Sequence, residues 1–170
     1  MLLRQSTGKK SFPVTVSYYA DWSANTQIYS APITQRLAYT HQLFIARKFN
    51  EELSLQLSPS FVHRNLVEFN DVNDVFAIGF GGRYKFIRRV ALTWEYFYSN
   101  HTAKSDSYYN PIAIGFDIET GGHVFQLFIT NSRPMVEKGL IAETTGNPRK
   151  GGLYLGFNMS RVFAIGKNKH

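Results

Sequence analysis

The sequence contains no cysteine, which excludes a disulfide scaffold, a thiolate zinc site and a cysteine nucleophile. Metal chemistry would therefore depend on five histidines and twelve carboxylates, and we expect neither a metal nor another cofactor. The longest apolar stretches, such as residues 75–80, fall far short of the roughly 20 residues that a membrane-spanning helix needs. A helical membrane protein is excluded.

The chain also lacks a recognisable secretory signal. Its first three residues lead directly into the polar run R-Q-S-T-G-K-K, without an apolar segment of about 7 to 15 residues or a small-residue cleavage site. Two expectations stay open: the protein remains in the cytoplasm, or its true start is missing.

The composition is that of one folded domain. Of 170 residues, 44% are apolar and 18% are charged, which excludes a disordered chain. We find no linker and no low-complexity tract, so residues 1–170 are predicted to form a single domain. Nineteen Lys and Arg against twelve Asp and Glu give a net charge of +7, and 14 Phe with 10 Tyr make the chain rich in aromatic residues. This favours anionic neighbours, such as lipid headgroups or nucleic acid.

Side chains alternate with a period of two along nearly the whole chain, and residues 12–23 give the cleanest example. One face of that segment carries Phe12, Val14, Val16, Tyr18, Ala20 and Trp22. Similar alternation predicts strands at residues 36–49, 53–58, 76–86, 90–98, 112–118, 125–129 and 153–165. No segment shows a sustained helical period, so we predict an all-β chain of about eight strands.

Short and long connections alternate between these strands. Tight turns are predicted at residues 50–52, 87–89 and 121–122, and long polar loops at 23–35, 63–73, 99–110 and 131–152. Short turns at one end and long loops at the other are typical of an up-and-down antiparallel transmembrane β-barrel. We therefore expect a barrel of the bacterial outer membrane, with outer-membrane lipid and lipopolysaccharide as its partners.

The less apolar face of the strands indicates which side meets lipid. A soluble lipocalin-like barrel, with its apolar residues inside, is the alternative. A water-exposed sheet face normally carries Lys, Glu, Thr and Ser, whereas this face includes Ala77, Gly79, Gly81, Ala113, Gly115 and Gly156. Small residues suit a crowded barrel interior. The same face carries bulkier residues that could fill that interior, namely Tyr19, Phe44, Phe97, Phe128 and Tyr154.

Charged and aromatic residues complete the prediction of the two faces. A lumen charge network is predicted from Arg83, Lys85, Glu95, Asp117 and Glu119. Two aromatic girdles are predicted at the membrane boundaries. The girdle toward the long loops consists of Trp22, Tyr18, Tyr39, Tyr96 and Tyr98, and the girdle toward the short turns of Phe12, Phe49, Phe86, Phe125 and Phe163. Three further residues, His41, Arg47 and Arg161, fall on the lipid face, so either they lie at a boundary or a bulge shifts the face.

Several runs of sequence resemble an uncharacterised β-barrel family of Gram-negative outer membranes, known as a domain of unknown function. They include L-L-R-Q-S-T, Q-L-F-I-A-R-K-F, L-S-L-Q-L-S-P-S-F-V-H-R-N, N-D-V-F-A-I-G-F, W-E-Y-F-Y and G-F-D-I-E-T-G-G-H-V-F-Q-L-F-I-T-N-S. The resemblance covers nearly the whole chain in order and implies location and architecture, without an activity. It also implies a signal peptide and further strands before the first run. We therefore expect this chain to be the C-terminal part of a larger barrel.

Two groups of polar residues could carry chemistry. A catalytic or calcium site near the outer rim could use His63, Arg64, Asn65, Asp71, Asn73 and Asp74. The spacing D-V-N-D lacks the glycine and the terminal glutamate of a calcium loop, however. Asp117 and Glu119 could form an acid/base pair, although neighbouring cations favour a structural network. We expect no catalytic residue and no enzyme.

Basic clusters lie at residues 9–10, 88–89, 149–150 and 167–169. They are scattered over turns, loops and the tail, so we expect no nucleic-acid partner. Three functions stay open: a passive pore or transport barrel, a closed structural or binding barrel that displays long loops, and a lipid- or peptide-modifying enzyme. Because eight strands leave an interior that side chains roughly fill, we predict a narrow pore or a structural barrel.

The paired glycines at positions 121 and 122 predict a two-residue hairpin of type I′. This turn sets the register of the strands on either side. Thr120 should face His123, and Ile118 should face Phe125. The same register places Phe116 opposite Leu127 and Asp117 opposite Gln126.

Overall fold

A computed structural model describes residues 1–6, 8, 11–26, 30–69, 71–102 and 107–161. Its strands are β1 (Thr15–Ala24), β2 (Leu37–Lys48), β3 (Leu53–Arg64), β4 (Asp74–Ile87), β5 (Val90–Ser99), β6 (Ile112–Thr120), β7 (His123–Thr130) and β8 (Tyr154–Arg161). They form one sheet in chain order, and every neighbouring pair is antiparallel. The sheet curls into a half-barrel, and within the described ranges β1 and β8 do not pair with each other. The all-β, up-and-down architecture is confirmed.

The third strand was predicted at residues 53–58 but continues to Arg64. Pro59, which has no N–H to donate, stands in the middle of this strand and obscures the pattern. Pairing with β2 nevertheless keeps one register on both sides of the proline, at Leu57 opposite Ile45 and Ser60 opposite Gln42. The last predicted strand ran to residue 165, of which 162–165 lie outside the described residues.

The hairpin between β6 and β7 has the predicted register. Thr120 pairs with His123, and Ile118 pairs with Phe125, while Phe116 faces Leu127 and Asp117 faces Gln126. Gly121 and Gly122 have φ angles of +52° and +102°. Positive φ at both central positions is what a type I′ turn requires, and only glycine adopts it without strain.

The two faces of the sheet differ in burial as the alternation predicts. On β4 the inward residues Val75 and Ala77 are buried, while Phe76, Phe80 and Phe86 of the outward face are exposed. From Phe76 to Phe86 the strand rises about 34 Å at 3.4 Å per residue, or about 24 Å when tilted by 45°. That height matches the apolar band of about 25 Å that a transmembrane barrel presents to lipid.

Large inward rings lie against inward glycines. A Cβ atom at Gly79 would come within 2.4 Å of the Phe97 ring, and one at Gly156 within 2.2 Å of the Phe128 ring. Glycine at these positions lets each phenyl ring approach the backbone of the neighbouring strand closely. The small inward residues therefore make room for the aromatic rings that fill part of the interior.

The long connection 131–152, which was predicted as a long polar loop, contains a short helix. Helix α1 (Glu137–Ala142) has only six residues, less than two turns, which is too short to produce a periodic signal. Short 3-10 turns cover Ile33–Arg36 and Pro148–Lys150. In the part of the chain that the structure describes, no helix has the length and apolarity to cross a membrane.

Helix α1 packs against the inward face of the sheet. Ile141 and Ala142 are buried against Val62, Val75 and Phe97, which belong to β3, β4 and β5. Residues 131–152 therefore fold back into the half-barrel at its loop end. We call residues 131–152 the inner segment.

Candidate functional site

Four inward charges form an ion-pair network across three strands. Arg83 of β4 reaches over β5, where the inward residues Ala91 and Thr93 are small. Its Nε lies 3.2 Å from Asp117 Oδ2, and its Nη2 lies 2.8 Å from Glu119 Oε1. We call the group of Arg83, Lys85, Asp117 and Glu119 the lumen network.

Two further contacts extend the lumen network. Lys85 Nζ lies 3.4 Å from Glu119 Oε2, and the amide of Gln126 donates to Asp117 Oδ1 at 2.8 Å. The side chains of Arg83 and Glu119 are 34% and 40% exposed, so water still reaches this ion pair, whereas the side chain of Asp117 is only 9% exposed. Exposed pairs of this kind contribute little to stability.

A cavity of about 570 Å³ lies next to the lumen network. Its polar lining includes Gln56, Arg83, Gln126 and Asn158, and the ring of Phe128 adds an aromatic surface. Arg83 is compensated by its carboxylates, and the rest of the lining combines hydrogen-bonding groups with apolar surface. Such a lining suits water and small polar solutes.

Glu95, the fifth residue predicted for the network, lies apart from it. It is inward on β5 and lines both the first cavity and a second one of about 500 Å³ beneath the inner segment. Among the described residues no cation forms an ion pair with it. Glu137 of α1 lines the second cavity as well, and it lies close enough to Glu95 and Tyr19 to interact electrostatically with both.

A second arginine, Arg64, joins the long loops at the other end of the half-barrel. Its Nη2 lies 3.0 Å from Asp71 Oδ2 and donates to the carbonyl of Val72 at 2.7 Å. Its Nη1 lies 3.5 Å from Glu143 Oε1, and Lys138 Nζ lies 3.2 Å from the same oxygen. The Arg64 side chain is only 4% exposed. It therefore connects loop 65–73 to the inner segment in a place that water hardly reaches.

A third loop joins this cluster through His101. His101 Nε2 is hydrogen-bonded to Asp71 Oδ1, and the imidazole ring lies 4.7 Å from the ring of Tyr108. The side chains of His101 and Asp71 are 3% and 9% exposed. We call the group of Arg64, Asp71, His101 and Glu143 the loop clasp, because it holds three long loops together.

The surroundings of the loop clasp change the acidity of two groups. For Asp71, desolvation is the largest influence and raises the pKa, but the Val72 N–H, Arg64 and His101 together outweigh it and lower the pKa below its ordinary value. Burial, followed by the nearby carboxylate of Asp71, raises the pKa of Tyr108. At neutral pH, Asp71 is therefore ionised and Tyr108 is a neutral hydrogen-bonding group.

The polar residues that were predicted to form a site at the outer rim point to different faces of the sheet. His63 Nδ1 lies 2.6 Å from Asp74 Oδ1, and both side chains are outward and substantially exposed. Arg64 and Asp71 instead point inward, into the loop clasp. Asn73 binds the backbone of Arg64 through its side chain. Alternation along β3 thus separates residues that are adjacent in sequence, and among the described residues no three His, Asp or Glu side chains converge on a possible metal position.

The predicted girdle residues that belong to the strands or follow them directly lie outward at the two ends of the sheet, while Phe12 precedes β1. Toward the loops, Trp22, Tyr18, Tyr39 and Tyr98 are exposed, and the hydroxyl of Tyr96 accepts from the Asn110 amide. Toward the turns, Phe49 and Phe86 are exposed, while Phe12 and Phe125 are half-buried. Phe163 lies outside the described residues.

The three polar residues on the lipid face lie near its ends. His41 lies in the half of β2 nearer the loops, and its Nδ1 is hydrogen-bonded to the Tyr18 hydroxyl at 2.6 Å. The Arg47 guanidinium lies 4.9 Å above the ring of Phe49, and Arg161 pairs with His123 beside the last short turn. No β-bulge interrupts the pairing at these positions, so the outward face continues through them.

Sequence reasoning found only part of the loop clasp, because it grouped Arg64 with Asp71 in a possible site at the outer rim but did not include His101 or Glu143. Arg64 carried one usable signal, because it continues the inward series of Ser60 and Val62 along β3. His101 and Glu143 gave none, since they lie in irregular loops and Glu143 is 79 residues away from Arg64. Only the folding of the inner segment into the half-barrel brings them together.

The chain belongs to the family described as "Membrane bound beta barrel domain (DUF5777)", whose model matches residues 1–163. This confirms the resemblance to an uncharacterised β-barrel family and shows that the domain is membrane-bound. No curated protein and no solved structure matches the chain.

Proposed function

We propose that the protein is a non-enzymatic barrel of the bacterial outer membrane, either a narrow pore or a scaffold, whose lumen is closed at the loop end by the inner segment. The observation that carries this proposal is the burial of Ile141 and Ala142 against the inward face of β3, β4 and β5. A loop that served only for display outside would place such apolar residues against its own loop neighbours.

The lumen below the inner segment is also narrow. Phe97 and Phe128 lie across the inward face over Gly79 and Gly156, and Arg83 spans the width of a strand to reach its carboxylates. Charges of both signs give such an interior little preference for ions of one sign. If a permeation path exists, it suits small polar solutes.

The arrangement of turns, loops and outward side chains supports an outer-membrane location. Short turns at one end, long loops at the other, an apolar band and aromatic residues at both edges of that band are the common features of outer-membrane barrels. The partners proposed on this basis are outer-membrane lipid and lipopolysaccharide along the outward face.

Conductance of the full-length protein in planar bilayers tests the proposal. We expect a small or absent conductance, with modest changes when Arg83, Lys85, Asp117 or Glu119 is neutralised one at a time. A large steady conductance of the wild-type protein would exclude the closed barrel.

The enzyme alternative has its own test. The outward pair of His63 and Asp74 is the most accessible acid–base pair of the rim, whereas His101 and Asp71 are buried. Turnover of phospholipid or peptide by the purified protein, abolished by His63→Ala or Asp74→Ala, would establish an enzyme. We expect no turnover.

A further inference from the structure

The charges of the described residues are unevenly distributed between the two ends of the half-barrel. At the turn end, outside the lumen network, six cationic residues stand against only two acidic ones, Glu51 and Glu52. The six are Arg4, Arg47, Lys48, Arg88, Arg89 and Arg161. At the loop end, six cations stand against six carboxylates. The positive charge of the described part of the protein is therefore concentrated at the turn end.

The cations of the turn end come from adjacent hairpins. The Lys85 N–H donates to the Glu52 carbonyl at 2.9 Å, which places the turn after β2 beside the end of β4. The Glu119 N–H donates to the Arg89 carbonyl at 2.8 Å, so the next turn lies against β6. These contacts bring Arg47 and Lys48 onto the same rim as Arg88 and Arg89. We call these four residues the turn rim.

The turn rim is exposed and directly borders apolar outward residues. Phe49, Phe86 and Ile87 are about half exposed and lie at the same ends of the strands. Arg47 covers the Phe49 ring with its guanidinium. Among the residues that the structure describes, Arg88 and Arg89 form no ion pair. Cations directly beside an apolar band match the boundary between acyl chains and phosphate groups.

We propose that the turn rim binds the phosphate headgroups of anionic phospholipids in the membrane leaflet that meets the short turns. Arginine suits this role, because its planar guanidinium donates to two phosphate oxygens at once. The position of the rim at the edge of the apolar band favours a lipid over nucleic acid. A nucleic-acid groove would need these cations on a surface away from the lipid and next to base-stacking rings.

Native mass spectrometry of the full-length protein in detergent tests the proposal, with phosphatidylglycerol and phosphatidylcholine titrated separately. We expect tighter retention of phosphatidylglycerol by the wild-type protein. The double variant Arg88→Gln/Arg89→Gln should weaken phosphatidylglycerol binding about tenfold and leave phosphatidylcholine binding unchanged. The matched control is Arg149→Gln/Lys150→Gln, an exposed basic pair at the loop end, which should change neither lipid. Added salt should reduce the wild-type preference.

Three outcomes would overturn the proposal: no preference for phosphatidylglycerol in the wild type, an equal loss of both lipids in the turn variant, or an equal effect of the loop-end control. An oligonucleotide that binds more tightly than phosphatidylglycerol and is lost in the same variant would assign the rim to nucleic acid instead. Circular dichroism checks that each variant is folded. If the first double variant does not fold, Arg47→Gln/Lys48→Gln on the neighbouring turn tests the same expectation.

Discussion

Two arginines in this half-barrel each bridge two carboxylates, but Arg83 does so between strands and Arg64 between loops. Arg83 joins Asp117 and Glu119 across β5, and a third of its side chain is exposed. Arg64 joins the nearby Asp71 to Glu143, which is 79 residues away, and is almost completely buried. The two bridges have the same chemistry in different surroundings.

The difference in burial decides what each bridge contributes. Ion pairs in contact with water contribute about 1 kcal/mol or less, because solvent screens them and compensates a lost partner. In a buried bridge, removal of the cation leaves a buried carboxylate, here Asp71, without its guanidinium partner. Glu143 is less affected, because it is 31% exposed and keeps its contact with Lys138. We therefore expect the loop clasp to determine whether the inner segment stays docked. We expect the lumen network to determine mainly the charge and polarity of the interior.

The largest effect is expected for Arg64→Ala. Loss of this side chain leaves Asp71 buried without its cation, which should cost about 3 to 5 kcal/mol of folding stability. Urea unfolding of the protein in lipid vesicles measures this change. Arg64→Lys should recover part of it, because an ammonium group restores the charge but cannot bridge both carboxylates in a planar fork. An equal cost for Arg64→Ala and Arg83→Ala would contradict the distinction between the two bridges.

A somewhat smaller effect is expected for Ile141→Ala. Ile141 is buried between α1 and the inward face of the sheet, so its truncation should cost about 2 to 4 kcal/mol. Ile129→Ala is the matched control, since Ile129 is exposed on the outward face. Limited proteolysis at the loop end should then accelerate for Ile141→Ala alone. Equal susceptibility of both variants would show that the inner segment is not held by packing.

Acid should weaken the loop clasp. The folded state lowers the pKa of Asp71, so this carboxylate contributes stability that is present above its unfolded pKa and is lost as the pH falls through its folded pKa. Unfolding measured from neutral to acidic pH should show this loss, and Asp71→Asn should remove that part of the pH dependence. An unchanged acid profile in Asp71→Asn would contradict the role of this group.

The smallest effect is expected for Arg83→Gln. Arg83 and Glu119 are partly exposed, and the buried Asp117 keeps the hydrogen bond from Gln126. The variant should therefore lose about 1 kcal/mol. Urea unfolding under the same conditions as for Arg64→Ala provides the comparison. If Arg83→Gln lowered the free energy of unfolding as much as Arg64→Ala does, water would reach the lumen network in the membrane less than its exposure indicates.

Sequence reasoning could find one bridge and not the other for a physical reason. Strand alternation places Arg83, Lys85, Asp117 and Glu119 on one face, and the pairing of β4 and β6 with β5 brings them to the same level. Periodicity therefore predicted the side chains that strands carry. It placed Glu95 in the same network, however, since a face assignment does not specify position along the barrel.

At the loop end, no periodic pattern predicts which side chains come together. The inner segment folds inward because a few residues, mainly Ile141 and Ala142, find an apolar surface on β3, β4 and β5. That surface exists only after the sheet has formed, and six helical residues are too few for their own pattern to reveal it. For the same reason, the sequence did not predict that His101 and Glu143 join the loop clasp.

Closure of the lumen by the inner segment is tested most directly by the single-channel conductance of a deletion variant. Residues 133–145 of the full-length protein are replaced by a short glycine–serine link, and the conductance is compared with that of the wild type in the same planar bilayers. We expect little or no conductance from the wild type and a steady, larger conductance from the variant. Closure by this segment would be contradicted if the wild type had the same large conductance as the folded variant. It would also be contradicted if the folded variant had as little conductance as the wild type.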